Sequence, residues 1–150
     1  NAPGINDGAC AFVVMSDKKA QEIGKAPIAT VLAHAEVAVE AKDFPQTTGI
    51  VINELLEKSG KIKEDIDLFE INEDFAVVSL ASMQIAGLNP DKINVNGGAV
   101  ALGHPIGASG ARIILTLIHE LQRRGGGLGI AAICSGGGQG DAILIEVPKQ

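Results

Sequence analysis

Three short stretches place polar or reactive side chains where an apolar segment gives way to a turn or a helix. They are NEDF at 72–75, GHP at 103–105 and CSGGG at 134–138. In α/β proteins such junctions, at the ends of strands, are where ligands bind. An amide, an imidazole and a thiol can together move protons and stabilise negative charge on oxygen. Asn72, His104 and Cys134 are therefore the candidate catalytic residues.

His104 lies inside the glycine-rich stretch GGAVALGHPIGASG at 97–110. Pro105 disfavours a helical backbone at His104, so we expect an extended residue just ahead of a helix that begins near Gly107. The N-terminus of that helix would favour a neutral imidazole that can accept a proton. The glycines leave room for a bulky ligand. The alternative is a glycine-rich turn in which the histidine makes only local hydrogen bonds.

Cys134 ends an apolar stretch and precedes three glycines. Their backbone N–H groups could stabilise an oxyanion, and the loss of one such donor costs about 10² to 10³ in rate. A thiol whose pKa is lowered toward neutrality can serve as base, acid or nucleophile. The alternative is a small buried cysteine beside a hairpin turn. Asn72 could bind a ligand or a water, or act only as an N-cap, and Glu73 is expected to be structural.

The other candidates for chemistry have simpler interpretations. We interpret Cys10 as a packed strand residue and His34 and His119 as ordinary structural or surface histidines. The two cysteines belong to no paired motif, which argues against a zinc site. A phosphate-binding GxxxxGK[ST] motif is absent from the sequence, and the glycines at 125–129 precede a strand, the reverse of a dinucleotide-binding fingerprint. We therefore expect neither a metal nor a bound cofactor.

The composition narrows the class of protein. The chain has 150 residues, of which 46% are hydrophobic and 20% charged, as in a globular domain. A net charge of -6 argues against nucleic acid or an anionic membrane as partner. No apolar run reaches the roughly 18 residues of a membrane-spanning helix, and two distant cysteines fit a reducing compartment. We expect a soluble cytoplasmic protein and, because the sequence begins with Asn1, a product of something longer.

Periodicity and turn signals predict alternating strands and helices. We expect strands at 8–16, 27–40, 66–72 and 92–98, the first two antiparallel, and a closing hairpin of 128–134 and 141–147. Helices are expected at 17–24 with Asp17 as N-cap, at 48–60, at 73–86 and at 107–124. The helix at 73–86 is apolar nearly all round and should be largely buried. These elements predict one α/β domain over 1–150, a mixed sheet with helices on both faces.

Four stretches together resemble the C-terminal half of a thiolase, an acetyl-CoA acetyltransferase. They are NAPGINDGA at the start, EINEDFA at 70–76, NVNGGAVALGHPIGASGAR at 94–112 and CSGGGQGDA at 134–142, in the order and spacing of that family. The resemblance implies a layered thiolase-like domain. It also implies that an N-terminal half bearing the nucleophilic cysteine, and a loop region that holds much of coenzyme A, are needed to complete the enzyme. Coenzyme A is then a substrate, and a homo-oligomer is expected.

The resemblance also implies roles for individual residues. His104 would activate the nucleophile, and Cys134 would move the proton at the α-carbon of the thioester or protonate the leaving thiolate. His104 and a water held by Asn72 would form one oxyanion hole, and the Gly136 N–H would contribute to a second. Phe75 would line the pantetheine or acyl end of the pocket, or belong to the core. Asp74 departs from the small residue usual at its position and could alter substrate choice, impair binding or point away.

Two functions follow from this resemblance. The chain is either part of a working acetyl-CoA C-acetyltransferase, inactive alone, or a non-catalytic module kept for dimerisation or for pairing with a separate N-terminal subunit. Related ketoacyl synthases also carry a GHxxGAxG turn, but with a Thr after the histidine and a second histidine at the late cysteine. Pro105 and Cys134 therefore favour a thiolase. In either case we expect an exposed apolar surface and self-association of the isolated chain.

Overall fold

The computed structural model describes residues 1–149, in which one mixed sheet carries helices on both faces. The strands are β1 (Thr30–Ala38), β2 (Leu68–Ile71), β3 (Gly127–Ser135) and β4 (Gln139–Val147). The α-helices are α1 (Asp17–Glu22), α2 (Thr47–Ser59), α3 (Ala76–Ala86), α4 (Ala99–Leu102) and α5 (Ser109–Arg123). Short 3₁₀ turns lie at Ala41–Gln46, Lys63–Asp65 and Pro90–Lys92.

The sheet has the strand order β1-β4-β3-β2. β3 and β4 form the predicted antiparallel hairpin, in register from Gly127↔Val147 to Ser135↔Gln139. β2 pairs with β3 in parallel, and the connection between them carries α3, α4 and α5. Parallel pairing requires such a long crossover, whereas antiparallel neighbours can be joined by a tight turn. The predicted mixed α/β sheet is confirmed.

Side-chain alternation along the strands builds one apolar core on each face. On one face α2 packs against Ile130, Ala132 and Cys134 of β3, and α3 packs on α2 within the same apolar cluster. On the other face α5 packs against the intervening residues of β3, with Leu117 and Leu121 buried. Alternation of this kind is what a strand buried on both faces requires. The carboxyl ends of β2 and β3 consequently lie side by side between the two helical layers.

Two predicted strands are wrong. Residues 8–16 form no strand in the described chain, and Val13 and Val14 are exposed. Strand propensity is realised only where a neighbouring strand offers pairing and packing, and β1 pairs with β4 instead. The stretch 92–98 contributes only an isolated bridge between Ile93 and Phe69.

The predicted helices need smaller corrections. Ser16, rather than Asp17, caps α1, and its hydroxyl accepts a hydrogen bond from Lys19 N at 3.2 Å. α3 is not largely buried, because Val77, Leu80 and Ile85 are exposed. α4 was not predicted. Gly60 does end α2 in the left-handed conformation, with φ of 67°.

Exposed apolar side chains also occur around the His104 loop, where Ile5 and Ile106 are mostly exposed. An exposed apolar surface was expected, and these side chains agree with it. Within residues 1–149 no helix is both long and apolar enough to cross a membrane.

Candidate active site

The first side of the site is the junction between β2 and α3. Asn72 follows β2 and continues its pairing with β3, since its N–H donates to the Ala132 carbonyl at 2.9 Å. Asn72 is fully buried. The chain then turns through Glu73 and Asp74 before α3 begins at Ala76. The parallel pairing thus brings the end of β2 beside the end of β3, where Cys134 lies.

Asn94 braces this junction. Its side-chain amide pairs with both backbone groups of Ile71, accepting from N at 2.8 Å and donating to O at 2.9 Å. Its backbone is left-handed, with φ of 46°, which asparagine tolerates better than most residues. Glu73 accepts a hydrogen bond from Val100 N at 2.9 Å, and a Cβ at Gly98 would overlap its carboxylate. Glu73 is therefore structural, as predicted.

The second side of the site is the His104 loop, which the N-terminal segment holds in place. His104 N donates to the Gly4 carbonyl at 3.0 Å, and His104 forms an isolated parallel bridge with Ile5. Gly103 has φ of 101°, and a side chain there would overlap Asn6. This glycine therefore makes room for the protein's own chain. At Gly107 an added Cβ would meet no atom of the described chain within 4 Å, as expected for open space.

The three candidate catalytic side chains meet on one carboxylate, that of Asp74. His104 Nε2 lies 2.7 Å from Oδ1, while Asn72 Nδ2 donates to Oδ2 at 3.1 Å and the Cys134 thiol donates to Oδ2 at 2.9 Å. The folded chain thus brings together residues 72, 104 and 134 from three separate elements. It also places at their centre the residue that departs from the family pattern.

Ser109 holds the other edge of the imidazole. Its Oγ lies 2.6 Å from His104 Nδ1 and 3.1 Å from the Pro105 carbonyl oxygen, and the residue is fully buried at the start of α5. Sequence reasoning missed Ser109. The available signal was its position five residues after the histidine, at the first turn of a predicted helix.

The surroundings of Cys134 change the acidity of its thiol. Burial raises the pKa of the Cys134 thiol above its ordinary value, and the hydrogen bond to Asp74 and its negative charge raise it further. The thiol is therefore the stable form at neutral pH, and not the thiolate that a lowered pKa would favour. A thiol in this state is a proton donor.

Gly136 and Phe75 lie at the edges of the site. Gly136 is exposed in the turn between β3 and β4, directly after Ser135. Its role in an oxyanion hole stays a prediction. Phe75 precedes α3 and is 45% exposed. Its ring packs edge-on against that of Phe44, with 6.1 Å between the ring centroids. Phe75 is thus not a core residue, and a lining role remains open to test.

Two buried carboxylates lie on elements that lead into the site. Glu70, on β2, is 2% exposed and lies 3.6 Å from the guanidinium of Arg112. Burial raises the pKa of Glu70 to about 7, although Arg112 opposes the shift. Glu120, on α5, accepts hydrogen bonds from Arg123, Arg124 and Asn96. Asn96 lies in the segment that leads to the His104 loop, so Glu120 ties α5 to that segment.

His34, His119 and Cys10, to which the sequence analysis gave no catalytic role, lie in different surroundings. His34 is exposed on β1, and His119 is exposed on α5. Cys10 is partly buried in an irregular segment, so its interpretation as a packed strand residue is wrong. In the described part of the chain no group of three His, Cys, Asp or Glu residues is arranged to hold a metal ion.

The fold and this site define a thiolase-type α/β domain. Residues 25–147 match the family model described as thiolase, C-terminal domain, and the chain belongs to that family. It is 47% identical to the cytosolic acetyl-CoA acetyltransferase of Mus musculus, a match covering 97% of this chain and 37% of the relative. It is 48% identical to a probable acetyl-CoA acetyltransferase of Mycobacterium tuberculosis, over 97% of this chain and 37% of that one.

Solved structures agree with this assignment. The acetyl-CoA acetyltransferase of Bacillus anthracis superposes with a TM-score of 0.87 at 46% identity, covering 89% of this chain and 34% of that one. A thiolase of Ascaris suum in complex with coenzyme A gives a TM-score of 0.85 at 50% identity, with the same coverage. The chain therefore spans about a third of the length of the relatives it matches.

Proposed function

We propose that this chain supplies the His, Cys and Asn side of the active site of an acetyl-CoA C-acetyltransferase. The reaction is acyl transfer between coenzyme A thioesters with cleavage or formation of a carbon–carbon bond. The observation that carries the proposal is the convergence of His104 Nε2, Asn72 Nδ2 and Cys134 Sγ on one carboxylate, at 2.7 to 3.1 Å. A thioester oxygen together with a bridging water can lie within reach of all three side chains, in the space that this carboxylate fills.

The proposed chemistry follows from the state of each side chain. Cleavage next to a thioester leaves an enolate, which needs a proton donor at carbon and hydrogen-bond donors at oxygen. The Cys134 thiol supplies the proton, and in the reverse direction its thiolate takes one from the α-carbon. His104 and Asn72 serve the thioester oxygen, Asn72 through a water. His104 also activates the nucleophile, and covalent acyl transfer splits the reaction into two easier steps.

The rest of the enzyme is part of the proposal. We assign the nucleophilic cysteine and most of the coenzyme A contacts to an N-terminal portion outside these 150 residues, and we propose a homo-oligomer in the cytoplasm. Coenzyme A is a substrate here. The half-exposed Phe75 ring fits a contact with the pantetheine or acyl chain. Relatives of equal identity include cytosolic and mitochondrial forms, so a localisation experiment is needed to test the compartment.

A hybrid enzyme tests this proposal. The N-terminal portion of the Bacillus anthracis acetyl-CoA acetyltransferase is joined to this chain, and acetoacetyl-CoA cleavage is followed by loss of its enolate absorbance. We expect turnover by the hybrid and none by either part alone. Turnover by the isolated chain would contradict the division of labour, because it would mean that the nucleophile lies within residues 1–150.

A non-catalytic pairing or dimerisation module is the second candidate. It is favoured by the exposed apolar side chains Val77 and Leu80 of α3 and Ile106 beside His104. The same hybrid separates the two functions. A hybrid that folds but does not cleave acetoacetyl-CoA would favour the pairing module over the enzyme.

A further inference from the structure

Asp74 occupies the point where the three candidate catalytic groups converge. Both of its carboxylate oxygens are engaged, Oδ1 by His104 and Oδ2 by Asn72 and Cys134. Its side chain is one-fifth exposed and that of His104 is 13% exposed. The carboxylate is thus held inside the site but keeps a path to solvent.

The contact with Asp74 determines which ring nitrogen of His104 carries a hydrogen. An ionised carboxylate can only accept hydrogen bonds, so Nε2 must carry a hydrogen while it contacts Asp74. The other ring nitrogen, Nδ1, is engaged by the buried Ser109 hydroxyl at 2.6 Å. Neither ring nitrogen then has a free lone pair. His104 can accept a proton at Nε2 only after Nε2 has given up this hydrogen and the Asp74 carboxylate has moved away.

Asn72 is constrained in the same way. Its Nδ2 donates to Asp74, and its buried Oδ1 has no hydrogen-bond partner among residues 1–149. A buried amide with one contact is held in place by that contact. Asn72 can therefore donate to a water or a thioester through this hydrogen only when Asp74 has released it.

We propose that Asp74 is an internal ligand of the acyl-oxygen site, a carboxylate that takes the place of the thioester oxygen until an acyl-CoA displaces it. The inference rests on the proposed function. Asp74 is a positioning residue, since it acts through His104, Asn72 and Cys134. Each substrate molecule must break these hydrogen bonds, so Asp74 lowers the apparent affinity for the thioester and holds the site closed to weaker ligands.

The first test needs no turnover. Among the described residues, Asp74 is the charged group that contacts Cys134, with His104 beyond it. Alkylation of Cys134 by iodoacetamide is measured against pH in the 150-residue chain, with Cys10 as internal reference in the same peptide map. We expect Asp74→Ala and Asp74→Asn to lower the midpoint for Cys134 by about 1 pH unit or more.

The two variants separate charge from access. The midpoint of the profile reports thiol acidity, whereas the plateau rate reports how easily the reagent reaches the sulfur. Asp74→Asn keeps the side-chain volume, so it remains informative if the alanine variant unfolds. Asp91→Asn, at an exposed turn, makes the same change of charge and should leave the Cys134 midpoint in place. An unchanged midpoint in both Asp74 variants would overturn the proposal.

The second test uses the hybrid enzyme. We expect Asp74→Ala to lower KM for acetoacetyl-CoA by about tenfold, the equivalent of one charge-assisted hydrogen bond, with a smaller change in kcat. An unchanged or raised KM would overturn the proposal while leaving the function intact. If no hybrid turns over and the Cys134 midpoint still shifts, the proposed function fails, and only the contact between Asp74 and the Cys134 thiol stands.

Discussion

Asp74 and Glu120 each gather three hydrogen-bond donors, yet the two carboxylates differ in what surrounds them. Glu120 receives two guanidinium groups and one amide. Asp74 receives an imidazole, a thiol and an amide. The number of contacts therefore does not separate a structural carboxylate from one at a reactive site. The charge of the donors does.

The charge difference has a direct consequence. Hydrogen bonds from Arg123, then from Arg124, lower the pKa of Glu120 to about 2, so its charge is compensated over the whole neutral range. Arg123 and Arg124 join this buried carboxylate to the last turn of α5. Asp74 has no guanidinium partner among the described residues. Under the proposal above, a substrate oxygen can replace these contacts.

The largest effect is expected on turnover. In the hybrid enzyme, His104→Ala and Cys134→Ser should each reduce kcat by about 10² to 10⁴, the contribution of a positioned acid or base. Glu120→Gln, which alters the other carboxylate, should retain turnover. Rates are measured together with thermal unfolding, since a catalytic loss must occur in a folded protein. If His104→Ala and Cys134→Ser left the rate unchanged, the surroundings of Asp74 would be no more important for turnover than those of Glu120.

The second largest effect is expected at Glu70. Its cationic partner, Arg112, lies 3.6 Å away, whereas Glu120 has two arginines at 2.6 Å. The folded pKa of Glu70, about 7, lies above the ordinary value of 4.5, so this carboxyl stabilises the fold below pH 4.5 and the contribution is lost as pH rises through 7. The free energy of unfolding should change by a total on the order of 3 kcal/mol. Urea unfolding of the chain between pH 5 and 8 measures it.

The variant Glu70→Gln tests whether the pH dependence of stability comes from Glu70. Glu70→Gln has no charge to bury, so its stability should stay flat over the pH range in which the parent chain weakens. Asp91→Asn serves as the matched control and should follow the parent. A parent chain whose free energy of unfolding does not fall between pH 5 and 8 would contradict the argument.

The smallest effect is expected at Glu120. Its lowered pKa means that this ion pair stabilises the fold above pH 4.5 and that the contribution is lost as pH falls toward 2. Glu120 is buried, but its partners reach solvent, which screens the attraction. Glu120→Gln should cost about 1 kcal/mol at neutral pH and less in acid or high salt. A variant as stable as the parent at pH 7 and low salt would show that the cluster is only a surface contact.

Local patterns predicted most of the regular structure correctly, for physical reasons. Helix α2, the closing hairpin and most of α5 follow from apolar spacing, from Gly60 at a helix end and from glycines in a turn. The error at residues 8–16 has a different origin. A run of Phe, Val and Met has strand propensity, but propensity does not supply a partner strand.

The candidate site was predicted only in part. Asn72, His104 and Cys134 could be identified because each lies where an apolar segment gives way to a turn or a helix. Ser109, Asn94 and the segment at Gly4–Asn6 were missed, since their contacts with the site join residues distant in sequence or depend on the local backbone. The raised pKa of Cys134 could not be predicted, because neither burial nor the approach of Asp74 can be inferred from the residues around the cysteine.

The sequence by itself determined the residue types of the site, the α/β class and the thiolase resemblance, because these depend on local order along the chain. Tertiary structure alone decided that residues 72, 74, 104 and 134 share one point in space. It also decided that Asp74, and not an empty pocket, lies at that point. The physical reason is that parallel pairing of β2 with β3 and the packing of the N-terminal segment on the His104 loop are long-range contacts, which no local pattern encodes.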